Sequence, residues 1–95
     1  MKKGYVYILT NPNRSVLYTG VTSDLARRIR AHRTHRYGGF SARYNLTELI
    51  YWEEHPDIEA AIVREKQIKN WSRSRKIEQI ATQNPTWRNL FDEGE

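Results

Sequence analysis

Two runs rich in β-branched and aromatic residues, 4–10 and 16–22, flank the turn-forming segment Asn11-Pro12-Asn13-Arg14 and predict a β-hairpin. Pro12 cannot adopt the positive φ of a two-residue primed turn, so a four-residue loop with Pro12 opening a type I turn is expected. With Thr10 opposite Ser15, the register would set Tyr7 directly across from Tyr18 and place both phenols on one face. A one-residue slip would separate them. Thr22 or Ser23 then caps a helix reaching about residue 33. Residues 34–45, which contain Gly38-Gly39, read as a loop, and 49–54 as a third strand. Asp57 opens a helix to about residue 71, and Ser72 or Ser74 caps another ending near residue 81. Asn84-Pro85 breaks the chain before a short amphipathic helix over 87–91 and an acidic tail. The order ββαβαα implies one α+β domain over 1–95, with its core in 1–83 and the short helix and tail in 84–95. Its sheet is expected to be small, antiparallel or mixed, and covered by helices.

Helical periodicity exposes two anomalies. Leu25 and Ile29 define the inward side of the first helix, and at about 100° per residue Arg28 and His32 fall in the same arc, whereas Arg27 and Arg30 point away. A structural ion pair or a tethered core histidine would explain this. So would a site in which the planar fork of Arg28 steadies phosphate charge while His32 places or exchanges a proton. Arg27, Arg30, Arg33 and Arg36 read as a solvated, phosphate-attracting face. On the second long helix, Ile58, Ala61, Ile62 and Ile68 draw an apolar stripe with Glu65 near its centre. An i,i+4 pair with Lys69, worth about 0.3–0.5 kcal/mol, is one reading. A hard divalent cation is the other, because an unpaired buried charge is costly and magnesium commonly takes only one or two carboxylates.

Most of the tyrosines (Tyr5, Tyr37, Tyr44, Tyr51) read as packing on a half-buried sheet. Tyr7 and Tyr18 differ, because their expected neighbours are an arginine and a carboxylate. A phenol beside Arg28 or a metal deprotonates more readily than its solution pKa of about 10 suggests, and it would act as, or position, a general base for water. Other signals are weaker. His35 and His55 lack partners at metal-ligand spacing, and Gly38-Gly39 neither follows a strand nor opens a helix. Glu53, Glu54, Asp57 and Glu59 read as a solvated run, and there is no Ser/His/Asp constellation.

Length and charge narrow the class. A chain of 95 residues has room for one small core, densified by three Trp, six Tyr and two Phe. The net charge of +5 and pI near 9.7 are locally concentrated, with six arginines and no acid between Arg27 and Arg43. Between Arg64 and Lys76 there are six basic residues and one acid. Such clusters suit a polyanion, whose counterions are released on binding. Arg27, Arg30, Arg43, Lys69, Arg73, Arg75 and Lys76 are therefore the candidate nucleic-acid contacts. The absence of cysteine excludes disulfides and thiolate zinc sites. Lys2-Lys3 leads into a strand-like run rather than an apolar signal core, and no stretch approaches the roughly 20 apolar residues of a membrane span. A cytoplasmic location without membrane contact is expected.

These residues resemble the GIY-YIG nuclease family. Tyr5-Val6-Tyr7 stands where that family has Gly-Ile-Tyr, and Tyr18-Thr19-Gly20 where it has Tyr-Ile-Gly, with Tyr18 eleven positions after Tyr7. Arg28, eight residues after Gly20, and then His32 resemble the family's arginine and histidine helix, and Glu65 its metal-binding glutamate. The half-motifs are degenerate singly, whereas their spacing together with Arg28, His32 and Glu65 is specific. The likeness covers nearly the whole chain and is closest to the small single-domain bacterial members. It implies a three-stranded antiparallel sheet flanked by helices and Mg²⁺- or Mn²⁺-dependent hydrolysis of DNA. Glu65 would hold the metal, Arg28 the phosphate, and Tyr7, helped by Tyr18 or His32, would activate water. Tyr5 departs from the family's first glycine. No appended DNA-binding domain lies within the span, so the choice of target, with branched or damaged DNA among the candidates, is expected from the basic surface or a protein partner. A nucleic-acid-binding module of the same fold with little activity, and a protein-interaction adaptor, are the competing readings.

Overall fold

The computed structural model describes residues 2–34 and 43–91. Strands β1 (Gly4–Thr10), β2 (Leu17–Thr22) and β3 (Glu48–His55) form one antiparallel sheet in the order β2-β1-β3, and helix α1 (Leu25–Arg33) makes the crossover between β2 and β3. Helices α2 (Ile58–Lys69) and α3 (Arg73–Gln83) follow, completing the expected ββαβαα order. His35, Arg36, Tyr37 and Gly38-Gly39 of the expected loop, and the acidic tail, lie outside the described residues.

The hairpin register differs from the expectation by two residues. Tyr7 pairs with Gly20, and Tyr18 with Leu9. The expected turn does form around Pro12, with the Arg14 amide donating to the Asn11 carbonyl at 2.9 Å. The Asn11 side chain then lengthens the loop, because its Oδ1 accepts from the amides of both Ser15 and Val16 at 3.0 Å. The Thr10 hydroxyl donates to the Val16 carbonyl at 2.8 Å. Ser15 and Val16 are thus held by side chains rather than by the ladder. A shift of two keeps every side chain on its face, so Tyr7 and Tyr18 remain neighbours, diagonally instead of directly.

Each of these three helices starts at a side-chain cap. At α1 the cap is Asp24, not Thr22 or Ser23: its Oδ1 accepts from the Arg27 amide at 3.2 Å, while the Thr22 hydroxyl accepts from the Asp24 amide at 3.1 Å. Asp57 caps α2 and Ser72 caps α3. Strand alternation divides the core in two. Val6, Ile8, Ile50 and Tyr51 meet Ala61, Ile68 and Ile80 of α2 and α3 on one face, and Tyr7, Leu9 and Leu49 meet Ile29 of α1 and Leu46 on the other. A Cβ at Gly4 would lie 2.6 Å from that of Ala61, so glycine is what lets α2 settle on β1.

Residues 84–91 are not helical. They seal the outer edge of β3, where unpaired backbone groups would otherwise be exposed. Gln83 binds both the amide and the carbonyl of Trp52, at 3.0 and 2.9 Å. Buried Asn84 donates to Ile50 O, and Leu49 O receives the Leu90 amide at 2.7 Å. Asn84 also binds the Arg88 carbonyl and amide at 2.7 and 3.2 Å, and Pro85 supplies no amide, so the chain leaves the helical path. Among the described residues no helix is long and apolar enough to cross a membrane.

Candidate active site

Gly20 determines how the site is built. An added Cβ would meet Cζ and the hydroxyl of Tyr7 at 2.4 Å, so the phenol lies directly over the β2 backbone and uses the space a side chain would fill. The Tyr7 hydroxyl reaches Nε2 of His32 at 3.2 Å. His32 is only 3% exposed, and its ring packs edge-on against both tyrosines, with centroids 5.9 Å from Tyr7 and 5.6 Å from Tyr18. The two phenol rings are 6.4 Å apart. Burial, reinforced by the Arg28 charge, pushes the His32 pKa down to about 4, so the imidazole is neutral at neutral pH. Arg28, half-buried one turn earlier on α1, lines a cleft of about 200 Å³ with Thr22, Ser23, Asp24 and Arg27.

Glu65 is buried on the sheet-facing side of α2, between Ala61 and Ile68. Its Oε2 binds Lys69 Nζ at 2.7 Å, the i,i+4 pair that helical spacing allows. Across from α2, the Thr19 hydroxyl, on the same sheet face as its cross-strand partner Ile8, is a buried polar atom without a hydrogen-bond partner. Tyr7, Tyr18 and His32 are therefore in mutual contact on one face, with Arg28 close enough to bias the imidazole, whereas Glu65 belongs to the helix covering the other face. No cluster of three or more His, Cys, Asp or Glu suited to a metal occurs among the described residues.

The basic candidates fall into two groups. Arg27 and Arg30 are exposed on α1, with Arg30 over the Phe91 ring at 5.6 Å. Exposed Arg43 lies over Tyr44. Lys69, Arg73, Arg75 and Lys76 belong to the α2–α3 side. There Arg73 reaches the Arg14 carbonyl of the hairpin loop at 3.3 Å, and Arg75 stacks 4.2 Å above Trp71. Arg33 is not part of a solvated face. It donates to the carbonyls of Thr47 and Phe91, at 2.9 and 3.2 Å, and ties α1 to the chain's last described residues.

The acidic run also reads differently in three dimensions. Asp57 is a cap, and half-buried Glu53 accepts from Tyr51, from Arg64 at 3.0 Å and from His55 at 2.9 Å. Burial pushes the Glu53 carboxyl up, but the bonds from Arg64, Tyr51 and His55 outweigh it and leave it below its ordinary value. Tyr51, Glu53 and His55 alternate along β3, and that period-2 spacing was the available signal for the cluster.

A GIY-YIG catalytic domain matches residues 3–78, and the chain belongs to that family. A UPF0213 protein of Syntrophus aciditrophicus is 35% identical over 86 residues, covering 90% of this chain and 97% of that one. A UPF0213 protein of Streptococcus pyogenes is 39% identical over 83 residues, 85% and 88% of the two chains. The solution NMR structure of a UPF0213 protein from Bacillus halodurans shares 29% identity and superposes with a TM-score of 0.58 over 92% of both chains.

Proposed function

We propose that this protein is a metal-dependent endonuclease that hydrolyses phosphodiester bonds in DNA, with Tyr7, Tyr18, Arg28, His32 and Glu65 as its working groups. The observation that carries the reading is the hydrogen bond between the Tyr7 phenol and a buried, neutral His32 beside the Arg28 charge. Family membership supports it. A neutral imidazole accepts the phenolic proton through Nε2, and the phenol oxygen then takes a proton from the attacking water as the water oxygen bonds to phosphorus. The P–O bond to the leaving sugar oxygen breaks, and that oxygen takes up a proton from solvent. Arg28 neutralises the non-bridging phosphate oxygens. Because its charge is one cause of the low His32 pKa, a phosphate seated on it raises the basicity of His32 when substrate is present. Tyr18 packs on both rings and holds their orientation.

The donor set on the other face fits a hard cation such as Mg²⁺ or Mn²⁺. Glu65 offers one buried carboxylate, of which Lys69 engages a single oxygen, and the unpartnered Thr19 hydroxyl faces the same helix–sheet interface. One carboxylate completed by waters is a common magnesium arrangement. When bound, the ion supplies Lewis-acid polarisation of the phosphoryl oxygen and charge neutralisation at the leaving oxygen. In this reading the ion and the Arg28-bound phosphate would come together at the open edge of β2, the outer strand of the sheet. The exposed arginines position the backbone without reading bases, and a protein partner would narrow the choice of DNA.

The Glu65–Lys69 pair favours a second reading, a nucleic-acid-binding module in which that carboxylate is structural. A panel of labelled linear, branched and damaged substrates, with Mg²⁺, Mn²⁺ or EDTA, separates the two. Cleavage that needs the cation and is lost in Glu65→Ala and Tyr7→Phe is expected. Metal-independent binding without cleavage of any substrate would establish the module instead.

A further inference from the structure

Beside the Arg27–Arg28 cleft lies a larger cavity of about 430 Å³ that the hydrolytic machinery does not use. Its lining includes the aromatic rings of Tyr5, Trp52 and Phe91, with Leu90 and the carboxylates of Asp24 and Glu54. The volume falls in the roughly 300–1,000 Å³ range of small-molecule sites, and the mixture of apolar walls with a few polar groups is typical of them. The Tyr5 and Trp52 rings are 6.2 Å apart and inclined by 52°, so they do not stack face to face on one another. Tyr5 stands where the family's motif has glycine, and its ring supplies part of this wall. Ser23 and Asp24 line both cavities, so the two adjoin.

We propose that the larger cavity receives a nucleobase turned out of its stack while the adjoining phosphates lie on Arg27 and Arg28. The inference rests on the nucleic-acid reading above and adds the feature of the substrate that is recognised. Aromatic rings bind bases through their π faces without regard to sequence. Carboxylates accept the N–H groups that an unpaired base exposes, as Glu and Asp do for cytosine N4. Here Asp24 Oδ1 is committed to the α1 cap, and Lys3 holds Glu54 Oε2 at 3.0 Å, which offsets a negative charge that would otherwise repel the strand. A partner with a purely apolar face would match only the rings, whereas a nucleotide has a ring for the first cavity and an anion for the basic side chains lining the second.

The test uses the full chain in EDTA, so that binding is read without cleavage. Fluorescence anisotropy would follow one labelled oligonucleotide, single-stranded and fully paired. Trp52→Leu and Tyr5→Val each keep an apolar or β-forming side chain, and their folding is checked by amide NMR spectra. Both substitutions are expected to weaken single-strand binding by about five- to hundredfold, with duplex affinity changed less than about twofold. In the wild type, a deoxynucleoside monophosphate should shift the indole N–H of Trp52 and not those of Trp71 or Trp87. Equal losses on both DNA forms, unchanged single-strand affinity, or an effect confined to self-association would overturn the base site while leaving the nuclease reading intact. A wild type that binds neither form would overturn the nucleic-acid reading itself.

Discussion

Replacing Gly20 with alanine adds one methyl group at the point where the structure has least room. The new Cβ would lie 2.4 Å from Cζ and the hydroxyl of Tyr7 and 2.8 Å from Cε2, where ordinary contact begins near 3.4 Å. The penalty is steric, because Gly20 does not occupy the left-handed φ region. Tyr7 has little freedom to yield, being fully buried, bonded to His32 and packed against Tyr18. Overpacking of this kind costs about 1–3 kcal/mol. For a domain of this size each kcal/mol lowers Tm by about 4–8 °C, so Gly20→Ala is expected to melt roughly 5–20 °C below wild type. The cost belongs to one ring, so it should largely disappear in a Tyr7→Leu background, giving a coupling of about 0.5–3 kcal/mol in the double-mutant cycle. Circular-dichroism melts of the four proteins provide the measurement. A Gly20→Ala protein as stable as wild type, or one equally destabilised with and without Tyr7, would refute the claim that this glycine exists to seat the phenol.

Asn84→Ala removes side-chain bonds to the carbonyls of Ile50 and Arg88 and the Arg88 amide, some of them buried, and is expected to cost about 2–4 kcal/mol in urea unfolding. A loss below about 1 kcal/mol would mean that the C-terminal segment does not clamp β3. The His32 pKa falls from 6.5 to about 4 on folding, so the unfolded chain takes the proton first. His32 therefore contributes fully above about pH 6.5, and that stability is lost as pH falls toward 4. Denaturant unfolding at several pH values should show a steeper decline in wild type than in His32→Gln, and equal slopes would count against a buried neutral imidazole. Neutralising Arg73, Arg75 and Lys76 together should weaken binding to every DNA sequence and flatten the salt dependence of affinity by about one unit for each phosphate no longer neutralised. Unchanged affinity in titrations at several salt concentrations would exclude the α3 side as a DNA surface.

Much of this architecture is legible along the chain because local signals agree with the fold. β1 and the caps at Asp57 and Ser72 follow from alternation and capping chemistry. The inward placement of His32 and Glu65 follows from helical periodicity, and both are buried. Sequence and structure part where side chains replace backbone partners. Asn11 satisfies two loop amides and moves the hairpin register by two, which composition cannot reveal. Asn84, which reads as a helix breaker, is instead a buried clamp on a strand 34 residues earlier in the chain. Glu53 reads as one of a charged run, yet alternation along β3 turns it inward to Arg64, and Arg33 reaches carbonyls at both ends of a long-range contact. Which sheet face each helix covers is set by the crossover, so helical patterning alone does not show that His32 and Glu65 approach from opposite sides.

If groups from both sheet faces serve one cation and one phosphate at the edge of β2, a single bound ion should be sensed from both. Mn²⁺, which is paramagnetic, can be titrated into isotopically labelled protein while amide signals are followed by NMR. Selective broadening is expected around Glu65 on α2 and, at the same Mn²⁺ concentrations, around Tyr18, Thr19, Gly20 and the His32 ring, with all of it abolished in Glu65→Ala. Broadening confined to α2, broadening that persists in Glu65→Ala, or none at all would contradict a shared metal site.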